Sequence, residues 1–162
     1  MPDFEICPVE AGDRESIAAF TAEHWGAEFV VAHNTVMWPA ELPGLIAHRH
    51  GEWLGLITYR IEGNQCEVVS IDSLRPASGI GTALIEAVKQ VALQKRCRRL
   101  WLITTNDNLD ALRFYQRRGF VLAALYPNAI EQSRKVKPSI PEIGDYGIPM
   151  RDEIELEMVL GS

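Results

Sequence analysis

Apolar and polar residues alternate along several short stretches in the first half of the chain, and each such stretch predicts a strand. The first strand covers Asp3–Val9, and the helix after it carries Ile17, Phe20 and Trp25 on its apolar side. Residues 26–44 have a mixed pattern that predicts a second short helix followed by a loop. Three more strand-like runs with short turns between them predict an antiparallel meander over Leu45–His50, Glu52–Ile61 and Gln65–Leu74.

The second half of the chain alternates between helical and strand periodicity. A glycine-bearing turn at Ser78 runs into an amphipathic helix that extends to Lys95. The predicted elements after it are a strand over Arg98–Thr105 and a helix over Leu109–Gly119. Two further strands follow over Phe120–Tyr126 and Glu153–Leu160. This order predicts an α+β fold with a mixed, mostly antiparallel central sheet of six to seven strands flanked by helices.

Length and charge narrow the classes of protein that fit. A chain of 162 residues suits a single domain, 1–162. The net charge of −6 argues against a nucleic-acid partner and is compatible with a cationic substrate. No apolar run is long enough for a membrane span and no signal-peptide pattern is present, so we expect a cytoplasmic protein without a membrane partner. Cys7, Cys66 and Cys97 form no CxxC pair and are expected to be reduced thiols.

The turn before the long helix is a candidate phosphate-binding site. Gly79 and Gly81 have no Cβ, and the first amides of a helix lack intrahelical partners at the positive end of its dipole. We therefore expect a pyrophosphate there. On its own the motif is weak, because glycines often serve only to form a turn. A dinucleotide fingerprint would need a small residue where Leu84 stands, and the Gly-Lys-Ser/Thr of a Walker A loop is absent.

A second motif is much more specific. In the stretch from Asn108 to Phe120, Asn108, Ala111 and Tyr115 share one helix face, and the stretch ends in Gly119-Phe120. Together with the glycine turn, this stretch resembles the GNAT superfamily of acyl-CoA-dependent N-acetyltransferases. The resemblance covers residues 65–126, and the element order before and after it also fits.

The resemblance implies that acetyl-CoA is the cosubstrate and that its pantetheine lies where the strand equivalent to Gln65–Leu74 splays from the one equivalent to Arg99–Thr105. It also implies a tyrosine, Tyr115, that protonates the departing thiolate. Where such proteins usually carry Arg or Gln three residues before the first glycine, this chain has Pro76, with Arg75 one residue earlier. The implied cofactor-binding residues are Leu74, Arg75, Ser78, Gly79, Ile80, Gly81, Thr82, Asn108, Ala111 and Tyr115.

Acetylation of a basic amine needs a proton acceptor and a donor for the carbonyl oxygen. We favour Glu67 as the base, since its strand is similar to the glutamate-bearing strand of the histone-acetylating branch. Asp72 and water remain alternatives. The two carboxylates are five residues apart and lie on opposite faces of a regular strand unless a bulge intervenes. By resemblance, the oxyanion donor is an N–H near Ser73 or Leu74.

Three further features of the sequence have alternative roles. His24 and Trp25 either line an acceptor pocket or belong to the core, and His48 and His50 lack the nearby ligands of a metal site. The late loop 127–152 is long for a connection and carries a basic patch, Ser133–Lys137. We expect it to contact the acceptor or a second subunit, with a solvated excursion as the alternative.

The sequence therefore predicts a GNAT-type N-acetyltransferase that uses acetyl-CoA and no metal, and that acts by direct attack in a ternary complex. The amine acceptor, a small molecule or a peptide, stays open, and a homodimer is suggested by analogy alone. One alternative is a non-catalytic acyl-CoA-binding or sensing domain of the same fold. A second alternative is a nucleotide-binding module with a chance glycine turn.

Overall fold

The computed structural model of the chain describes residues 3–75 and 78–161. Pro76, where the sequence departs from the family pattern, lies outside the described residues. The chain divides into two compact units. The first comprises the residues up to Val30, Trp38–Leu100 and the last residues from Val159, and the second comprises Val31–Met37 and Trp101–Met158.

The first unit contains the meander and the two longer helices. Its elements are β1 (Glu5–Pro8), α1 (Arg14–Trp25), β4 (Gly44–Arg49), β5 (Glu52–Glu62), β6 (Gln65–Ser73) and α2 (Ile80–Gln94). The strands lie in the order β1-β4-β5-β6, and every neighbouring pair in this order is antiparallel. All of these follow the periodicity of the sequence to within a few residues.

The two helices of this unit cover opposite faces of β5. Leu56 packs with Ile17 of α1 in a buried cluster. The neighbouring residue, Gly55, points to the other face, where a Cβ would lie 2.7 Å from Cγ2 of Ile80 and 3.1 Å from Cδ1 of Leu84 in α2. Gly55 thus lets the first turns of α2 approach the strand closely, while α1 covers the opposite side.

The second unit contains the shorter helices and the last strands. Its elements are β3 (Thr35–Met37), β7 (Arg99–Thr105, from Trp101 onward), α3 (Leu109–Arg117), β8 (Val121–Tyr126), α4 (Ala129–Val136) and β9 (Glu153–Val159, up to Met158). Strand β9 lies between β7 and β8 and pairs with β8 in antiparallel fashion. The α+β class and the mostly antiparallel strands predicted from the sequence are confirmed. The splay of the central strands and the single domain stay predictions.

A small hairpin occupies part of the stretch for which the sequence predicted a helix and a loop. It joins β2 (Val30–Ala32) to β3 through His33 and Asn34, which both have positive φ, at 52° and 60°. Asparagine tolerates this conformation, but histidine gives little signal for it. The carboxylate of Glu153 accepts the His33 N–H at 3.0 and 3.2 Å, so a residue of β9 fixes the turn of the hairpin.

The late segment 127–152 is more ordered than the sequence indicated. It contains α4, whose buried residues include Ser133, so apolar periodicity could not reveal the helix. The guanidinium of Arg134 donates to the carbonyls of Ile140, Pro141 and Met150 at 3.3, 2.7 and 2.6 Å, and Lys137 is buried. Arg134 therefore holds the segment together and Lys137 lies buried, so these two side chains are not presented to a substrate or a second subunit as the sequence suggested. Lys135 is exposed, and a contact of the loop with the acceptor or a second subunit stays a prediction.

In the described part of the chain, every helix is too short or too polar to cross a membrane.

The close approach at Gly55 gives a stability prediction. Gly55→Ala would place Cβ 2.8 Å from the Asp72 carbonyl oxygen, which belongs to a paired strand and cannot easily move. We expect the free energy of unfolding to fall by about 1–3 kcal/mol, measured from urea unfolding curves. Gly12→Ala is the matched control, because no described atom lies within 4 Å of its added Cβ. Equal stability of the two variants would contradict the packing of α2 on β5.

Candidate active site

The turn before α2 has the geometry of an open helix N-terminus. Gly79 is the N-cap residue, with φ 83° and ψ 0°, a conformation that glycine adopts without strain. No described side chain caps the helix, and the first helical bond runs from the Ala83 N–H to the Gly79 carbonyl at 3.0 Å. The amides of Ile80 and Gly81 precede this bond and lack intrahelical acceptors, so they can receive an anion.

The positive φ, and not lack of space, favours glycine at this position. No described atom lies within 4 Å of a Cβ built on Gly79, so the region in front of the turn is open. The Ile80 side chain is fully buried and packs toward Gly55, and its backbone is therefore the part that a ligand can contact. The residues of this turn fit the pyrophosphate of a coenzyme A molecule through backbone amides.

Two serine hydroxyls near the turn donate hydrogen bonds to the same carbonyl. The hydroxyls of Ser73 and Ser78 both donate to the Arg75 carbonyl, the first at 3.2 Å. The Arg75 guanidinium is exposed and pairs with Glu52 at 3.3 Å. Such an exposed ion pair contributes little free energy, so the guanidinium is available to a phosphate. Leu74 and Thr82 are also exposed, as a cofactor-binding role for both requires.

A bulge in β6 changes the relation between the two candidate bases. The pairing with β5 shifts between Val68, opposite Tyr59, and Ser70, opposite Thr58, which leaves Val69 as an extra residue. Glu67 lies opposite Arg60 and Asp72 opposite Leu56. Directly opposed residues share a face of a sheet, so Glu67, Ser70 and Asp72 all point to the face of β5 that α1 covers.

The charge of Glu67 is already engaged. Glu67 is 4% exposed, and its Oε1 accepts a hydrogen bond from Nη2 of Arg60 at 2.9 Å. Next to this pair, the hydroxyls of Thr58 and Ser70 share a hydrogen bond of 2.5 Å. Removal of one charge from a buried ion pair leaves the other charge without compensation, so a proton added to Glu67 would weaken the pair with Arg60.

Asp72 has a different environment on the same face. Its Oδ2 accepts a hydrogen bond from Nε1 of Trp25, at the end of α1, at 3.0 Å. Burial raises the pKa of the Asp72 carboxyl, while the Trp25 hydrogen bond and the charge of His24 lower it less strongly. A carboxylate whose pKa is raised toward neutrality binds a proton from a substrate more readily. Sequence reasoning could not detect the Trp25–Asp72 contact, because the two residues are 47 positions apart.

The two candidate oxyanion donors are distinguished by the backbone pairing. The Leu74 N–H donates to the Leu54 carbonyl at 2.8 Å and is therefore occupied. Successive amides of a strand point to opposite edges, so the Ser73 N–H points away from β5. Ser73 is thus the better candidate of the two.

The second unit contains the other predicted site residues, on α3. Asn108 is the N-cap of this helix, and its Oδ1 accepts the Ala111 N–H at 3.2 Å. This contact leaves the Nδ2 group of Asn108 as the donor suited to a cofactor. Tyr115 is 7% exposed and packs edge-to-face against Phe114 and Phe120, at 5.3 and 5.5 Å between ring centroids. Its aromatic packing fixes the ring, and the hydroxyl is the group that can transfer a proton.

Among the residues that the structure describes, no group of three or more His, Cys, Asp or Glu side chains could hold a metal ion. The Nε2 of His48 lies 4.0 Å from the exposed carboxylate of Glu5.

The comparison with known families agrees with this arrangement. The family model described as Acetyltransferase (GNAT) family matches residues 13–120, and the chain belongs to this family. YdhI of Bacillus subtilis (strain 168), an uncharacterized protein, is 43% identical over 156 residues, which are 96% of this chain and 98% of YdhI.

Solved structures show the same fold at low sequence identity. An IAA acetyltransferase from Bacillus cereus ATCC 14579 is 20% identical, with a TM-score of 0.73 over 97% of this chain and 99% of that chain. A GNAT family acetyltransferase from Elizabethkingia anophelis with acetyl-CoA bound is 22% identical, with a TM-score of 0.70 over 99% of this chain and 100% of that chain.

Asn108 caps α3 through its Oδ1 and would contact the cofactor through its Nδ2, and these two roles can be separated by mutation. Asn108→Ala removes the cap of α3 and should lower the free energy of unfolding by about 1 kcal/mol, measured by urea titration. Asn108→Asp retains a capping oxygen and should preserve stability, but it removes the Nδ2 donor. We expect both variants to bind acetyl-CoA more weakly in calorimetry. Unchanged affinity in the aspartate variant would limit Asn108 to a structural role.

Proposed function

We propose that this protein transfers the acetyl group of acetyl-CoA to an amine by direct attack within a ternary complex. The observation that carries the proposal is the N-terminus of α2, where Gly79 has positive φ and no described atom beyond its chain neighbours lies within 4 Å of a Cβ built on it. Membership of the GNAT family and a similar structure that contains acetyl-CoA support the choice of donor.

In the proposed reaction, the amides of the turn bind the pyrophosphate, with Arg75 and Asn108 as side-chain contacts. The thioester supplies an activated acetyl group, and the Ser73 N–H donates a hydrogen bond to its carbonyl oxygen. A carboxylate of β6, Glu67 or Asp72, accepts the proton of the acceptor amine, either directly or through water. The Tyr115 hydroxyl protonates the departing thiolate. No covalent acyl-enzyme is required, and Cys66 and Cys97 are buried thiols.

The negative charge of the protein indicates the class of acceptor. A net charge of −6 and the carboxylate of Asp72 on β6 suit an acceptor that arrives as a cationic ammonium group. Small amines and peptide amines both satisfy this condition. The non-catalytic acyl-CoA-binding alternative predicts acetyl-CoA binding without thiol release.

The activity is tested by measuring free thiol release from acetyl-CoA with a panel of amines: 1,4-diaminobutane, a lysine-containing peptide, kanamycin and free lysine. We expect amine-dependent thiol release that falls by about 10-fold or more in Tyr115→Phe, since a general acid typically contributes at least that factor. Tight acetyl-CoA binding with no release above the rate without amine would favour the non-catalytic alternative.

The glycine turn is tested by a pair of variants. Gly79→Ala should weaken acetyl-CoA binding because it strains the turn that presents the amides. Gly26→Ala is the control, since Gly26 has nearly the same backbone, φ 78° and ψ −1°, with equally open surroundings at the end of α1. We expect both variants to lose about 1 kcal/mol of stability, and Gly79→Ala alone to lose affinity in calorimetry. Equal affinities would contradict the phosphate site.

A further inference from the structure

The hydrogen bond between Trp25 and Asp72 extends the proposed function to the acceptor side of the reaction. Asp72 immediately precedes Ser73, whose N–H points away from β5, so the carboxylate and the predicted oxyanion donor are adjacent in the chain. The bulge at Val69 turns Asp72 to the face that α1 covers. There the indole N–H of Trp25 contacts its Oδ2 at 3.0 Å, while 37% of the Trp25 residue surface remains exposed.

We propose that Asp72, rather than Glu67, binds the acceptor as an ammonium ion and takes its proton, and that Trp25 positions the carboxylate for this step. The inference rests on the proposed N-acetyl transfer. A carboxylate beside a half-exposed indole suits a cationic amine, because the charge pairs with the carboxylate and the alkyl or ammonium group packs on the ring. Glu67 is less suited, because Arg60 already neutralises it and little of it is exposed.

The proton and bond balance of the step is complete. The ammonium group gives one proton to Asp72 and becomes a neutral amine. The amine nitrogen then forms a C–N bond with the acetyl carbon as the C–S bond breaks. The sulfur leaves with the electron pair of that bond and receives a proton from Tyr115, and the nitrogen releases its second proton to solvent. Asp72 then loses its proton to solvent and Tyr115 regains one, so that one proton is released for each acetyl group transferred. No oxidant or further reactant is needed.

The surroundings of Asp72 determine how its charge responds to pH. The charged and titratable groups on this face include His24 of α1, whose charge favours the ionised form of Asp72. They also include the ion pair between Arg60 of β5 and Glu67 of β6. Arg60 also lies 3.8 Å from Glu62 on β5. Burial opposes ionisation more strongly than His24 and Trp25 favour it, so the pKa of Asp72 lies above its ordinary value. The Trp25 hydrogen bond limits this increase, and its loss would raise the pKa further.

The kinetic test uses the panel amine with the highest kcat/KM in the wild-type protein. Asp72→Asn should lower kcat/KM by about 100-fold or more at pH 7.5, the usual contribution of a general base, with unchanged acetyl-CoA affinity in calorimetry. Trp25→Phe should move the acidic limb of the kcat/KM profile to higher pH. The variant should therefore lose more of the wild-type kcat/KM at pH 6 than at pH 8. Trp53→Phe, which removes an indole from the core on the same face, should leave the profile unchanged.

The stability of the Asp72→Asn variant serves as the control for correct folding. The folded protein holds the Asp72 proton to a higher pH than the unfolded chain, so ionisation of Asp72 costs folding free energy as pH rises through its folded-state pKa. Asn at this position can still accept the Trp25 hydrogen bond and carries no charge. Asp72→Asn should therefore unfold at the same or a higher urea concentration than the wild type at pH 8, and its loss of activity cannot then be attributed to misfolding.

A second measurement does not depend on turnover. In protein labelled with carbon-13 at aspartate carboxyls, the Asp72 signal is identified by its disappearance in Asp72→Asn. We expect it to titrate above the ordinary range of aspartate, and to titrate higher still in Trp25→Phe. A pKa of Asp72 within the ordinary range of aspartate would overturn the proposal. An acidic limb of the kcat/KM profile that is lost in Glu67→Gln and retained in Asp72→Asn would also overturn it. Absence of transfer in the wild-type protein, with Asp72 titrating high, would instead contradict the proposed function.

Discussion

The close approach of α2 to β5 at Gly55 is the constraint on which the rest of the site depends. Any side chain at this position would meet Ile80 or the backbone of Asp72, so the missing Cβ fixes how near the first turn of α2 lies to the end of β6. The turn at Gly79 and the carboxylate at Asp72 are thereby held in one packed unit. Their relative position is set by main-chain and core contacts, which are rigid, and not by exposed side chains.

The bulge at Val69 has a comparable effect on the chemistry of the face. In a regular strand, Glu67 and Asp72 would point to opposite sides. One extra residue brings both to the face that α1 covers, and their environments then differ sharply. Arg60 pairs with the first, while burial next to an indole raises the pKa of the second. Two carboxylates of similar intrinsic acidity are separated by their surroundings, which is how proteins assign acid and base roles.

The sequence predicted most of the fold, because its elements carry strong local signals. The glycine turn, the amphipathic α2 and the meander all follow from periodicity and turn residues. The β2–β3 hairpin was missed since its turn uses His33, and α4 was missed since Ser133 occupies a buried position on it. The basic residues Arg134 and Lys137 were expected at a binding surface, but Arg134 donates to backbone carbonyls and Lys137 is buried.

The site was predictable to the extent that it follows from the family motif. The cofactor and catalytic roles of Gly79, Asn108 and Tyr115 come from spacing and resemblance and stay predictions. The sequence could not separate the environments of Glu67 and Asp72, because these depend on a strand register and on a contact 47 residues away in sequence. The Leu74 amide likewise could be set aside as an oxyanion donor only once its hydrogen bond to Leu54 was known.

The central claim is that backbone amides at the start of α2 bind a pyrophosphate. The most direct test is a titration of nitrogen-15-labelled protein with 3′-dephospho-coenzyme A, which retains the pyrophosphate and lacks the ribose phosphate. The account predicts that the largest amide shifts occur at Gly79, Ile80 and Gly81, in a saturable manner. Saturation with these amides unmoved, and with the shifts located elsewhere in the chain, would contradict it.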